Sequence, residues 1–412
     1  MTAIVGILNK RAAVMAADSA VTVSNDKGVK IYNTETKIFS LSDVHPIGVM
    51  IYDNVEFMGT PWELIFNLYR KERGNIACKS VEEYAQAFIR FLKENDYFCN
   101  DESKDNYLIQ DISTYYNMVK DEVFKLLEED GQSIEDEDAV RENVSGMISA
   151  LSDVCHDEGT CEEFEDYDET QFANYSKEYF DSLMEVLGEE HLPTDMRDVW
   201  QKGFYAHLRS KVFLNGTSTG VVFVGYGEKD IFPSAFATVI GGSVDNRLRY
   251  YFDTDRSDKI THDKTAWVIP FAQGDVMMTM MKGIAPDLYS TIADEVHASM
   301  EKAVLQVAEK FGLPNDDQTT EVAAPIIEKI QDEFTETIDE VIRERFTSGI
   351  VDTVESFNVE DLVNMAESLI SITNLQRHIT SSEETVGGPI DVAVITKTGG
   401  FQWAKQKRDD YE

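Results

Sequence analysis

Thr2-Ala3-Ile4-Val5-Gly6-Ile7-Leu8-Asn9-Lys10-Arg11, followed by Val14-Met15-Ala16-Ala17-Asp18, is the stretch from which the rest of the chain is read. Two short apolar runs around a polar break predict a β-hairpin that starts at residue 2, with a two-residue turn at Asn9-Lys10. The small residues Ala12, Ala13, Ala16, Ala17 and Ala20 suit strands packed closely on both faces. Initiator Met is normally excised before a residue as small as Thr2, which would leave a hydroxyl and a free α-amine on the first residue of a buried strand. Taken alone, this is also how an ordinary terminal strand reads.

The 412 residues carry 76 acids against 37 bases, a formal net charge of −39. Nucleic-acid binding depends on clustered Lys and Arg, and so does attraction to anionic membranes, so both are disfavoured as partners. No apolar run approaches a membrane span, and Lys10, Arg11 and Asp18 interrupt what would be a signal-peptide core. The expected location is cytoplasmic. Cys78, Cys99, Cys155 and Cys161 are too few and too scattered for a disulfide framework. Cys155-His156 with Cys161 matches no common zinc spacing, and no metal or cofactor is expected.

Outward from the hairpin, β-type runs continue at residues 20–23, 30–32, 37–41 and 47–51. Helical spacing begins at Val55 and runs to Arg73, and Ser80 reads as the N-cap of a second helix ending near Glu94. Residues 96–215 form an acidic block with helical patterns at 107–127, 139–154 and 175–187, the acid runs between them reading as solvated faces or loops. Strand character returns at 212–214, 220–226, 234–240, 247–252 and 265–271. Helical stretches follow at 275–283, 292–310, 319–346 and 359–379, and a strand pair at 390–396 and 401–403 closes the chain. The order predicts an α+β protein with helices packed on sheets.

An N-terminal Thr can use its own α-amine as the base for its own hydroxyl. That amine ordinarily titrates near about 7.7–8.0. The hydroxyl needs a nearby cation to ease proton removal, and a buried Lys in that role needs a carboxylate. Asp18 closes a small apolar stretch and Lys37 opens the apolar run Lys37-Ile38-Phe39, which supplies both. With Ile47-Gly48-Val49-Met50-Ile51 and the closing Gly387-Gly388-Pro389-Ile390-Asp391-Val392, these segments resemble the proteasome β-subunit family of N-terminal nucleophile (Ntn) hydrolases, including its bacterial and archaeal relatives. Gly225-Tyr226 with Pro233-Ser234 resembles that family's central hairpin, so the resemblance covers roughly half of the chain.

The resemblance implies a four-layer αββα sandwich, a single domain over 2–412 with an acidic helical insertion at 96–215 and a second at 284–357. It implies Thr2 as nucleophile with its α-amine as general base, Lys37 lowering the basicity of the site, and Asp18 pairing with Lys37. The family's oxyanion donor is a backbone N–H at a Gly that falls here at Asp53, where a carboxylate opposes developing negative charge. Its supporting residues fall at Glu383, Thr385 and Gln273. The implied activity is that of a threonine peptidase or amidase cleaving a peptide or amide bond without a cofactor. The implied partners are a peptide or protein substrate, further copies in a homo-oligomer, and an ATP-dependent unfoldase or other protein. Two alternatives stand beside it: a transpeptidase or amidase using the same Thr2, and a catalytically silent scaffold or adaptor whose acidic block binds a partner. Asp53 is the best support for the silent scaffold.

Overall fold

Alternating and fully apolar runs become strands, and the 3.6-period stretches become helices, in a computed structural model that describes residues 3–25, 28–32, 35–95, 98–190, 193–312, 317–380 and 387–407, without the side chains of 21–32, 189 and 317–321. The chain opens with β1 (Ile4–Asn9), β2 (Ala13–Asp18), β3 (Val21–Asn25), β4 (Gly28–Tyr32), β5 (Ile38–Ser40) and β6 (Ile47–Asp53). A small hairpin, β7 (Glu56–Phe57) and β8 (Thr60–Pro61), leads into α1 (Trp62–Arg73) and α2 (Val81–Glu94). The acidic block holds α3 (Asp101–Glu129), α4 (Glu137–Asp157), α5 (Glu169–Tyr175), α6 (Lys177–Glu189) and α7 (Arg197–Arg209). Then come β9 (Thr219–Gly225), β10 (Ser234–Val244), β11 (Arg247–Lys259) and β12 (Ala266–Ala272). The last part holds α8 (Gly274–Lys282), α9 (Pro286–Lys310), α10 (Asp317–Ile342), α11 (Ser348–Ser356), α12 (Val359–Thr380), β13 (Ile390–Thr396) and β14 (Gly400–Lys405). The result is a mixed α+β protein with antiparallel sheets. Among the described residues no helix is long and apolar enough to cross a membrane.

The chain divides into two compact units. The first comprises Met1–Glu35, Lys259–Thr396 and Gln402–Glu412. Its sheet runs β12-β1-β2-β13-β14, so the closing strand lies directly on the opening hairpin, with Ile390 opposite Asp18. Both hairpin strands are buried along their whole length. Ala3, Val5 and Ile7 with Val14, Ala16, Val392 and Val394 meet Leu362, Ala366, Leu369 and Ile370 of α12 and Met277 and Met281 of α8. Burying each larger aliphatic side chain of this set contributes roughly 1.5–3 kcal/mol. The turn is at Lys10-Arg11, one residue beyond the expected Asn9-Lys10, because Leu8 pairs with Ala13. Asn9 is drawn into the strand: its Oδ1 accepts from the N–H groups of Arg11 (2.9 Å) and Ala12 (3.2 Å), and its Nδ2 donates to the carbonyls of Val354 and Phe357.

The second unit comprises Thr36–Asp258 and Lys397–Phe401, around a sheet of order β11-β10-β9-β6-β5. Trp62 and Phe66 of α1 and Phe88 and Phe91 of α2 pack over Val49, Ile51, Val221 and Phe223. Ser80 caps α2 as expected, its Oγ accepting from the Glu83 N–H at 3.2 Å. The helix expected from Val55 begins only at Trp62, because Met58 and Gly59 take positive φ (50° and 82°) and make a tight turn between β7 and β8. The helix expected at 175–187 is α6, starting two residues later, and α5 precedes it unannounced; at the junction Ser176 Oγ donates to the Phe172 carbonyl and accepts from Gln201. Helix α7 has no counterpart among the expected helices. Met196 at its start offers no capping side chain, yet Trp200, Phe204 and Leu208 bury one face of it in the block's own core.

A wholly buried polar cluster ties this helical block to the sheet of the same unit. Arg249 of β11, Asp111 of α3 and His207 of α7 are 0%, 0% and 1% exposed. Arg249 Nη1 donates to Asp111 Oδ2 at 3.1 Å, and Nη2 donates to the carbonyls of His207 (2.7 Å) and Val212 (2.6 Å). His207 Nε2 stands 3.4 Å from Asp111 Oδ1. Burial pushes the His207 imidazole below its ordinary value, Arg249 adds to the effect and Asp111 opposes it. Burial pushes the Asp111 carboxyl up, but its hydrogen bond with His207 and the Arg249 guanidinium outweigh this and hold it below the usual range. With His207 kept neutral, Arg249 is the permanent charge facing Asp111. Asp111→Ala is expected to cost about 3–5 kcal/mol in chemical denaturation, because it strands a buried guanidinium. His207 predicts a pH effect as well. Below about pH 6.5 the unfolded histidine takes up a proton that the folded one refuses, so stability falls as the pH drops from there. His207→Gln is expected to flatten that part of the stability–pH curve.

Candidate active site

Asp18 ends β2 and is 1% exposed. Its Oδ1 accepts from the Ala3 N–H at 3.0 Å, its Oδ2 accepts from the Gly387 N–H at 3.1 Å, and its own N–H donates to the Ala3 carbonyl at 3.1 Å. The residue directly after Thr2 is therefore held from both its N–H and its carbonyl. Gly387 and Gly388 take positive φ (151° and 77°), which lets the backbone turn its N–H toward Asp18, and Ser19 Oγ donates to the Pro389 carbonyl at 2.8 Å. Thr2 itself lies outside the described residues, as do Glu383 and Thr385. Gln273 sits in the same unit as Asp18, in a left-handed conformation (φ 50°) at the start of α8.

Lys37 belongs to the second unit, immediately before β5, and is 1% exposed. Its carbonyl accepts from the Ile51 N–H at 2.9 Å, which fixes it beside β6. Asp53, two residues further along β6, has a positive φ of 70°. This is the left-handed region that favours glycine, so Asp53 has a glycine-type backbone. Asp53 faces solvent, yet partial burial of its carboxyl pushes it above the ordinary range, opposed by the Arg256 guanidinium. The turn after it is pinned from below: Thr219 Oγ1 donates to the Asn54 carbonyl and accepts from Trp62 Nε1, both at 2.9 Å. Before it, the Tyr52 ring occupies the space over Gly220, where an added Cβ would stand 1.9 Å from Tyr52 Cζ.

Two features escaped the sequence reading. The first is that Asp18 clamps backbone on both sides; its signal was the Gly387-Gly388 pair opposite a strand end. The second is the Tyr52–Gly220 fit, signalled by a Gly inside an otherwise large-residue strand. All four cysteines are free thiols, and among the described residues no group of three or more His, Cys, Asp or Glu is placed to hold a metal. Asp18→Asn would put an amide N–H2 against one of two backbone donors. We expect it to weaken the clamp by about 1–3 kcal/mol and to speed amide exchange at Ala3 or Gly387, read by hydrogen-exchange NMR or mass spectrometry, more than at β9 in the other unit.

No family model and no curated protein matches the chain. Among solved structures it is similar to the Anbu (Gly-1) mutant from Hyphomicrobium sp. strain MC1, at 9% identity and a TM-score of 0.28, over 99% of this chain and 87% of that one. A likeness of that size fixes neither fold nor function.

Proposed function

We propose that the chain is a threonine-type N-terminal nucleophile hydrolase of peptide or amide bonds, with Thr2 as nucleophile once it is the first residue. The observation that carries this reading is the Asp18 clamp: a buried carboxylate at a strand end that fixes the backbone of the residue next to Thr2. A nucleophile at a free chain end has no preceding residue to hold it, so fixing the residue that follows helps to position it. The buried Lys37 and the glycine-type backbone at Asp53 add to the support.

In this reading Thr2 Oγ attacks the substrate carbonyl carbon while the α-amine takes the hydroxyl proton. The Asp53 N–H serves the oxyanion, the leaving amine receives the proton, and an ester remains on Thr2. Water then adds to the ester, giving a proton to the α-amine, which passes it to Thr2 Oγ as that oxygen leaves, so the acid is released and the hydroxyl is restored. Lys37 lowers the basicity of the site, and Asp18 pairs with it. The four-layer sandwich over 2–412, the insertions at 96–215 and 284–357, a homo-oligomer, and an unfoldase-type partner belong to the same reading.

One observation favours the second reading, a silent scaffold: the Asp53 carboxylate would oppose charge developing on an oxyanion held by its own N–H. Three measurements decide. Mass spectrometry is expected to find Thr2 at the mature N-terminus; a chain in which a residue still precedes Thr2 sinks the mechanism. An electrophile directed at N-terminal Thr is expected to label the protein and to fail on Thr2→Ala. Asp53→Asn is expected to raise the labelling rate by about tenfold, the effect of removing a charge a few ångströms from the reacting oxygen at a partly screened site. Absence of labelling in both wild type and Asp53→Asn establishes the scaffold.

A further inference from the structure

Helices α3 and α6 present matching rows of side chains. On α3 the row is Asp105, Ile109, Ile112, Tyr116, and on α6 it is Tyr179, Leu183, Val186, Glu190, the last at the helix's C-terminal cap. Both rows step by four, three and four residues. Tyr179 Oη donates to Asp105 at 2.5 Å, and Tyr116 Oη donates to Glu190 at 2.6 Å. Each bond joins residues 74 positions apart, so the helices run in the same direction in fixed register. Between the two tyrosine–carboxylate latches lies a groove of about 530 Å³. The latches stand eleven residues apart on each helix, which makes the groove about 16 Å long, three helical turns.

The floor is apolar and the rim is acidic. Ile112 and Leu183 form the floor at 5% and 8% exposure, while Ile109 and Val186 stand on the walls at 50% and 42%. Lys120 offsets Glu190 at 3.0 Å and Arg197 offsets Asp181 at 3.0 Å, and Glu178 and Glu185 add exposed acid along α6. An occupant must therefore bring apolar side chains at helical spacing for the floor and positive charge for the rim. A second copy of this chain, at net −39, would set acid against acid.

We propose that the α3–α6 groove docks a basic amphipathic helix of a partner protein, laying Leu- or Ile-type side chains between the two latches with Lys or Arg toward the acidic rim. The proposal does not depend on the chemistry at Thr2. It is tested with the full chain by fluorescence anisotropy at moderate salt, using a labelled helix-forming Leu/Lys peptide whose Leu residues share one face. The control is a peptide of the same composition with no apolar face. We expect saturable binding of the first, at least about tenfold tighter than the control.

Val186→Asp and Ile109→Asp separate docking from bulk attraction. Each adds an acid, so non-specific attraction of a basic peptide would grow, whereas docking in the groove is expected to weaken by about tenfold or more. Both sites are exposed, and an unchanged circular-dichroism melt confirms the fold of each variant; with either one folded, the test stands. Equal binding of the two peptides, or undiminished binding by a folded variant, overturns the proposal. So does a change in sedimentation that shows the groove to be filled by a second copy.

Discussion

A carboxylate removed from water must find its hydrogen bonds inside the protein, and Asp18 finds two of them on backbone from opposite ends of the sequence. The N–H of Ala3 and the N–H of Gly387 both donate to it, in a sheet where β2 lies between β1 and β13. Charge-assisted bonds of this kind are about twice as strong as neutral ones, and leaving such an acid half-satisfied is costly. The consequence is a register condition. Ile390 must lie opposite Asp18 and Ala17 opposite Ile4, since a one-residue slip would turn the carboxylate to the other face of the sheet. The small residues of the hairpin make that register possible, because α12 can then pack onto strands buried on both faces.

The second unit solves a comparable problem with opposite charge. Arg249 sits inside a strand, where its guanidinium has no access to water, and it draws its acceptors from α3, α7 and the turn that follows α7. The helical block has a core of its own, to which the sheet contributes the buried Val244. Apolar packing alone would let such a block slide on its support. A planar guanidinium with four fixed oxygen acceptors does not, since each acceptor has a direction. Gly241 and Gly242 of β10 complete the fit by leaving room for Tyr107 of α3, whose ring would meet any Cβ at residue 242 at 2.4 Å. The groove between α3 and α6 inherits this rigidity through α3.

Local chemistry decided what could be read from the sequence alone. Continuous apolar runs with small residues announced β1, β2, β6, β9 and β13, and Ser80 announced α2, because burial on both faces and N-capping leave their mark within a few residues. The turn at Lys10-Arg11 was misplaced by one because Asn9 reads as a turn former, and nothing local reveals that its amide is taken by carbonyls near residue 355. Helix α7 was missed because it lacks a capping residue and its stability comes from neighbours distant in sequence. Asp111 reads as one more acid on an acidic helix. Its position among Leu108, Ile112 and Tyr115 was the available sign that it faces inward. For the candidate site, the sequence located Asp18 and Lys37 as inward-facing ionic residues, and both are buried; what Asp18 holds is a backbone relation that no spacing encodes.

In the proposed hydrolase, Asp53 separates two requirements that a glycine would meet together. An oxyanion donor needs a backbone N–H aimed by an unusual conformation, and it needs no competing charge nearby. The conformation is present at φ 70°, although a residue with a Cβ is disfavoured there by about 1 kcal/mol. Thr219 and Trp62 hold the following turn, so the strained backbone is supported by residues beneath it and not by Asp53 itself. The charge requirement is the one in question: partial burial pushes the carboxyl above its ordinary range and the Arg256 guanidinium opposes this. The aspartate therefore places the question of activity on one side chain, and leaves the backbone that would serve the chemistry intact.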